Sequence, residues 1–183
     1  MMTTSDHSYR ADDNTCFLGI DLGSTTAKYV LLDSQGQVLA HNYVRHQSAV
    51  VEVLLKELAA LSSYEEAPLY VIFTGSAALS LASSLQAPFV QEVIAATTNL
   101  KNNSQNVDVA IELGGEDGKI LFLNNGVELR MNEACAGGTG AFIDQMATLL
   151  NVSTIELNEL AKQAQSTHPI ASRCGVFAKT DLV

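Results

Sequence analysis

The chain has 183 residues, 47% of them hydrophobic and 16% charged, which indicates a folded protein and excludes a disordered one. Its 10 basic and 20 acidic residues give a net charge of −10. This acidity argues against a nucleic-acid partner, because duplex binding depends on basic residues. No apolar run reaches the roughly 18 residues that a membrane span requires, so we expect no membrane partner.

The first predicted element is a flexible polar tail over residues 1–15. It contains no apolar stretch of the kind found in secretory signals, so we expect a cytoplasmic protein. The 3 cysteines are too few and too widely separated for a secreted disulfide framework. In a reducing cytoplasm, a cysteine is a buried apolar residue, a reactive thiol or a metal ligand.

Residues 16–104 are predicted to form a first α/β lobe. Glycines and small polar residues separate its first three apolar runs, as is typical of hairpins. The predicted strands cover 16–21, 27–32, 37–41, 69–73 and 89–90. Apolar residues at helical spacing predict helices over 49–61, 77–85 and 92–102.

Residues 105–183 are predicted to form a second lobe that begins in the same way. Three strands are expected over 107–113, 119–123 and 127–131. Helices are expected to begin near Gly140, at the Ser153-Thr154-Ile155-Glu156 capping box, and after Cys174.

The two lobes contain an internal repeat. Ile20-Asp21-Leu22-Gly23 aligns with Ile111-Glu112-Leu113-Gly114, and the same shift aligns Lys28 with Lys119. A repeat with so long a period indicates a domain duplication rather than a solenoid. In each copy an acid ends a strand beside a glycine turn. One copy alone fits an ordinary hairpin, whereas two copies favour binding of a polyphosphate, since glycine lets backbone N–H groups approach phosphate oxygens.

These segments resemble those of a known superfamily. Gly19–Lys28 resembles the first phosphate motif of the actin, sugar-kinase and heat-shock ATPases, and Ile111–Asp117 resembles the second. Asn132–Phe142 and Ser172–Ala178 are more specific: they are similar to the activator ATPases of 2-hydroxyacyl-CoA dehydratases and related subunits of benzoyl-CoA reductase. The resemblance implies an α/β fold of the duplicated ribonuclease H-like, actin-like ATPase type, and an ATP-dependent activator.

The chain departs from the family pattern in two ways. Glu112 and Glu116 stand where relatives commonly carry Asp and Gln, a difference typical of a subgroup of long, multidomain relatives. The adenosine-binding Gly-Gly segment of the superfamily has no counterpart, and the second lobe is incomplete. We therefore expect the chain to be a fragment of a longer protein.

The resemblance implies that ATP and Mg²⁺ bind between the halves. Asp21 is expected to hold Mg²⁺ through water, and either Glu112 or Glu116 to orient the attacking water. The residues expected to contact the nucleotide are Gly23, Ser24, Thr25, Thr26, Gly114, Gly115, Gly137, Gly138, Thr139 and Gly140.

Cys135 and Cys174 are the candidate metal ligands. Each alone is more typical of a buried apolar residue, but each lies in a polar or glycine-flanked segment before a predicted helix, where the helix N-terminus favours a thiolate. Two thiolates are too few for a usual iron–sulfur cluster, and a two-fold dimer would supply four. The resemblance implies this arrangement, a [4Fe–4S] cluster bridging two identical subunits. Cys16 is expected to be a core or surface residue without such a role.

The implied partners are a second copy of the chain, a 2-hydroxyacyl-CoA dehydratase component that receives the electron, and ferredoxin or flavodoxin as donor. Two alternatives remain: a small-molecule kinase of the same superfamily, and a non-catalytic actin-like fragment. Lys28 and Lys119 are expected to reach solvent from their strands. The scattered histidines, among them His46, are expected on the solvated surface because none pairs at metal-ligand spacing.

Overall fold

The computed structural model describes residues 14–64, 66–103, 107–124, 126–132, 135, 137–172 and 174–182. The chain divides into two compact units between Ala95 and Ala96. The predicted tail lies outside the described residues except for Asn14 and Thr15, of which Thr15 is buried. The boundary predicted between residues 104 and 105 also lies outside them and stays a prediction.

The first unit is built on a four-stranded sheet with the order β3-β2-β1-β4. Its strands are β1 (Cys16–Leu22), β2 (Thr26–Leu32), β3 (Val38–Arg45) and β4 (Leu69–Thr74). The helices are α1 (Val50–Ala59), a 3₁₀ turn (Ser62–Tyr64), α2 (Leu79–Ser84) and α3 (Glu92–Asn103), which contains the boundary between the units. β1 runs antiparallel to β2 and parallel to β4. The predicted strand at 89–90 is only an isolated bridge between Phe73 and Phe89.

The side chains of β1 alternate between the core face of the sheet and the opposite face, which carries Asp21. Leu18, Ile20 and Leu22 are all buried, and they share one face because strand side chains alternate. Asp21 lies between two of them in sequence and so faces the opposite side. Cys16 is 5% exposed and belongs to the same core, as expected for a cysteine without a ligand role.

The second unit contains a three-stranded antiparallel sheet with the order β5-β6-β7. Its elements are β5 (Val109–Leu113), β6 (Gly118–Phe122), β7 (Glu128–Asn132), α4 (Gly140–Leu149), α5 (Thr154–Gln163) and α6 (Gly175–Thr180). The predicted capping box begins α5: the Ser153 side chain accepts from the Glu156 N–H, and the Glu156 carboxylate accepts from the Ser153 N–H. The Glu156 carboxylate accepts from the Ser153 N–H and also from the Ser153 hydroxyl, and these two hydrogen bonds lower the pKa of Glu156.

The predicted repeat is visible in the strand register. Asp21 lies opposite Lys28 in the first hairpin, and Glu112 lies opposite Lys119 in the second. Each unit thus presents an acid–lysine pair beside its glycine turn. In the ranges given above, no helix combines the length and apolar character that a membrane crossing requires.

Candidate functional site

The first glycine turn joins β1 to β2. The Gly23 N–H donates to the Thr26 carbonyl over 2.9 Å, which closes the turn. Ser24 is exposed at its tip, whereas the Thr26 side chain is buried. The backbone around Ser24 is therefore accessible to a ligand.

An ion pair lies beside this turn. The Asp21 carboxylate is 2.6 Å from the Lys28 ammonium, and their side chains are 32% and 36% exposed. Lys28 reaches solvent, as expected, and in addition pairs with Asp21. Because the pair is partly exposed, it contributes little to stability, and both charges remain accessible to a ligand.

His46 is hydrogen-bonded to the first glycine turn. It is only 3% exposed, so its predicted place on the solvated surface is wrong. Its Nδ1 accepts from the Ser48 N–H, which leaves Nε2 as the protonated nitrogen of the neutral ring, and Nε2 donates to the Gly23 carbonyl over 3.0 Å. The His46 backbone N–H also donates to the Thr25 carbonyl. His41 and His168 are exposed, as predicted.

The end of β4 meets the end of β1, which the sequence analysis missed. Thr74 lies opposite Asp21 in the parallel pair. Gly75 has a φ of +101°, and a Cβ there would lie 2.3 Å from the Leu22 carbonyl oxygen and 2.6 Å from Asp21 Oδ1. The rule that adjacent parallel strands bring their carboxyl ends to one edge could have identified this contact.

A buried lysine at the start of β6 lies beside the second glycine turn. The Lys119 side chain is 5% exposed, and its ammonium is 3.3 Å from Glu112 and 3.0 Å from Asp117. The expectation that Lys119 reaches solvent is therefore wrong. Its burial is tolerated because the two carboxylates neutralise it. Glu116 is exposed on the turn, and Asp117 is a member of this cluster that the sequence analysis did not single out.

The second turn is hydrogen-bonded to the start of α4. The Gly140 N–H donates to the Gly114 carbonyl over 2.8 Å, and the Ala141 N–H donates to the Gly115 carbonyl over 2.9 Å. These bonds satisfy two of the N–H groups that a helix leaves free at its first turn. A Cβ on Gly140 would lie 3.0 Å from the Gly114 oxygen, so a side chain there would press against the turn.

The remaining residues predicted to contact nucleotide differ in exposure. Thr139 precedes α4 and is buried, Gly138 is exposed, and Thr25 and Gly137 are half-buried. Their contact with a nucleotide stays a prediction.

The two cysteine segments meet in the second unit. Cys135 is exposed, and its Sγ accepts the Gly137 N–H over 3.3 Å. Backbone hydrogen bonds from Gly137 and then Gly175 lower the Cys135 pKa, against a smaller opposing effect of burial. A Cβ on Gly175 would lie 3.3 Å from the Gly137 Cα, so these glycines let the segments approach. Cys174, the half-exposed residue before α6, adjoins this contact.

In the described ranges, no three His, Cys, Asp or Glu side chains are grouped closely enough to bind a metal ion.

Comparisons with known proteins agree with this geometry. A model of the BadF/BadG/BcrA/BcrD ATPase family matches residues 18–183. The (R)-2-hydroxyglutaryl-CoA dehydratase activating ATPase of Acidaminococcus fermentans is 29% identical over 171 residues, which cover 91% of this chain and 65% of that protein.

Two solved structures are similar to this chain. The crystal structure of (R)-2-hydroxyglutaryl-CoA dehydratase component A from Acidaminococcus fermentans has a TM-score of 0.79 and 27% identity, covering 92% of this chain and 66% of that one. The activator of 2-hydroxyisocaproyl-CoA dehydratase from Clostridium difficile, with bound ADPNP, has a TM-score of 0.78 and 26% identity, covering 91% and 64%. These similarities confirm the predicted actin-like ATPase fold class. The chain spans just under two thirds of the length of these relatives.

Proposed function

Because the chain belongs to the BadF/BadG/BcrA/BcrD ATPase family, we propose that it acts in an ATP-dependent activator that delivers an electron to a 2-hydroxyacyl-CoA dehydratase. The observation that carries this proposal is the meeting of two cysteine segments beside a helix whose start is hydrogen-bonded to a glycine turn. We place the activator in the cytoplasm.

Each glycine turn is proposed to bind phosphate oxygens of ATP. Asp21 suits an Mg²⁺ ion held through water, because Mg²⁺ prefers oxygen ligands and retains several waters. Its carboxylate is accessible beside the exposed Ser24, and Lys28 supplies a positive charge for phosphate. The similarity to an activator solved with ADPNP supports this assignment.

We assign the attacking water to Glu112 rather than to Glu116. Lys119 holds the Glu112 carboxylate at the end of a strand, whereas Glu116 is exposed on the turn. A fixed group is better suited to orient a reactant. Glu112→Gln is therefore expected to lower the rate of ATP hydrolysis at least 100-fold, the usual scale for such a group. Glu116→Gln should retain most of the rate, and the reverse result would exchange the two roles.

Cys135 and Cys174 suit an iron–sulfur cluster shared with a second copy of the chain. Thiolates are its ligands, and the N–H groups of Gly137 and Gly175 stabilise negative charge on the Cys135 sulfur. Two cysteines from each of two chains supply the usual four ligands. Such a cluster supplies one electron at a time when bound, and a ferredoxin or flavodoxin is the proposed donor.

The contact between Gly114–Gly115 and α4 provides a route from nucleotide to cysteine. A ligand that moves this turn also moves the Gly140 and Ala141 N–H groups, which follow Gly137 closely in the chain. Nucleotide states that bind the turn differently would then favour different positions of the Cys135 segment, since a ligand shifts an equilibrium only through differential affinity.

The test is iron analysis of the full-length protein purified without oxygen. We expect a dimer with about four irons per pair of chains, as a shared four-iron cluster requires. Cys135→Ser and Cys174→Ser should each lose the iron and the activation of the dehydratase. Cys16→Ala is the matched control, because Cys16 belongs to the core and should leave the iron in place.

An iron-free wild-type protein would contradict the proposal. A small-molecule kinase of the same superfamily would behave differently, because its phosphate transfer would survive Cys135→Ser. Assaying ATP hydrolysis and phosphate transfer in the same variant therefore separates the two functions.

A further inference from the structure

His46 connects the segment after β3 to the first glycine turn, and the proposed function gives it no role. The residue is buried, and both of its ring nitrogens are used. Nδ1 accepts from the Ser48 N–H over 3.1 Å, and Nε2 donates to the Gly23 carbonyl over 3.0 Å. The His46 backbone N–H donates to the Thr25 carbonyl over 3.2 Å. One residue therefore holds two carbonyls of the same turn.

The backbone that follows His46 is strained. Gln47 and Ser48 have φ values of +47° and +71°, the left-handed region that residues with a side chain adopt at a cost. The Ala49 N–H donates to the His46 carbonyl over 2.7 Å, which closes this segment into a tight turn. The conformation directs the Ser48 N–H back onto the imidazole. Strained backbone persists where surrounding contacts hold it, and it is concentrated at functional sites.

The bond from His46 fixes the direction of a backbone donor at the tip of the first turn. The Gly23 carbonyl and the Ser24 N–H belong to one trans peptide group, so they point in opposite directions. Because the carbonyl is directed at the buried imidazole, the Ser24 N–H points away from it, on the exposed side of the turn. In the part of the chain that the structure describes, no atom accepts from the Ser24 N–H. This donor is therefore available to an anionic ligand.

We propose that His46 is a positioning residue for the phosphates of the nucleotide: by holding the Gly23 carbonyl, its imidazole directs the Ser24 N–H at a phosphate oxygen. This inference rests on the proposed binding of ATP by the first glycine turn. A donor that is fixed before the ligand arrives avoids the entropic cost of ordering it on binding. His46 acts through the turn in this role and does not itself contact the nucleotide.

Two substitutions separate the two hydrogen bonds of the ring. His46→Gln places an amide N–H near the position of Nε2, so it keeps a donor for the Gly23 carbonyl. His46→Asn places an amide oxygen near the position of Nδ1, so it keeps an acceptor for the Ser48 N–H but is too short to reach Gly23. His46→Ala removes both hydrogen bonds.

The test is calorimetric binding of Mg-ADPNP to the full-length protein, at a temperature where circular dichroism shows each variant to be folded. We expect His46→Ala and His46→Asn to bind about tenfold more weakly than the wild type, the scale of one hydrogen bond to a charged group. His46→Gln should bind about as tightly as the wild type. Leu54→Val is the matched control, because it removes one methylene group from the core and should lower the melting temperature without changing the affinity.

Wild-type affinity in both His46→Ala and His46→Asn would overturn the inference while the proposed function stands. Equal weakening in His46→Gln and His46→Asn would also overturn it, because the donor to the Gly23 carbonyl would then have no effect of its own. The same weakening in Leu54→Val would show that affinity follows stability, and would overturn it too. A wild-type protein that binds no ADPNP would overturn the proposed function itself, and this inference with it.

Discussion

Gly75→Ala is expected to destabilise the first unit, because a methyl group at this position overlaps the end of β1. The Cβ would lie 2.3 Å from the Leu22 carbonyl oxygen, a backbone atom, and 2.6 Å from Asp21 Oδ1. The Leu22 oxygen also accepts the Ala77 N–H, so moving it weakens a hydrogen bond. The backbone at the site of the proposed Mg²⁺ ligand must therefore shift.

The expected loss of unfolding free energy in Gly75→Ala follows from a comparison with Gly36→Ala. Gly36 and Gly75 both have positive φ, +77° and +101°, so alanine costs about 1–2 kcal/mol at each from the backbone alone. A Cβ on Gly36 meets nothing within 4 Å, so that cost is the whole effect there. At Gly75 the overlap adds about 1–3 kcal/mol, the usual cost of overpacking. We expect the total for Gly75→Ala to be about 2–5 kcal/mol.

Urea unfolding followed by tyrosine fluorescence measures this difference. The chain has no tryptophan, and all 5 tyrosines precede residue 96, so the signal reports the first unit. With a urea dependence of about 2 kcal/mol per molar, the midpoint for Gly75→Ala should fall roughly 0.5–1.5 M below that for Gly36→Ala. Equal midpoints for the two variants would refute the close contact between Gly75 and the end of β1.

Three further predictions concern the turns and helix starts. His46→Ala removes the ring donor to the Gly23 carbonyl and should lower the unfolding free energy by about 1–3 kcal/mol in the same urea assay. In metal-free protein, the depressed pKa of Cys135 should let iodoacetamide alkylate it at a lower pH than N-acetylcysteine, as mass spectrometry of the peptide would measure. Ser153→Ala should cost about 1 kcal/mol by circular dichroism melting, the usual cost of losing a helix cap. Because the folded-state pKa of Glu156 is lowered, the capping-box stabilisation is complete above the ordinary carboxyl pKa. The part contributed by the Glu156 carboxylate should be lost as the pH falls through the lowered value, whereas the Ser153 side chain still accepts from the Glu156 N–H.

Local patterns predicted most of the fold. Apolar residues alternate along β1, and glycines separate it from β2, so the first hairpin could be placed within a residue of its bounds. The start of α5 was predictable because the capping box lies within four consecutive residues. The internal repeat placed Asp21 and Glu112 at equivalent strand ends, where the register has them.

Contacts between distant segments could not be predicted in the same way. His46 contacts Gly23 across a hairpin, and Thr74 contacts the end of β1 through a parallel pairing with a long connection. No periodicity in one sequence encodes which of these residues meet. Lys119 was misjudged because lysine is rarely buried, and its burial depends on Asp117 and Glu112 pointing to the same place.

The two glycine turns are alike in sequence but are held by different neighbours. In the first unit, His46 and the Gly75 segment fix the turn to its own sheet, so a ligand there meets a prearranged surface. In the second unit, the carbonyls of Gly114 and Gly115 accept from the first N–H groups of α4, the helix that follows the Cys135 segment. A rigid first turn suits binding of Mg²⁺ and phosphate, whereas displacement of the second turn would be transmitted to α4. The two turns proposed to bind phosphate therefore differ in their surroundings, and the contacts around the second give it the closer connection to the proposed electron carrier.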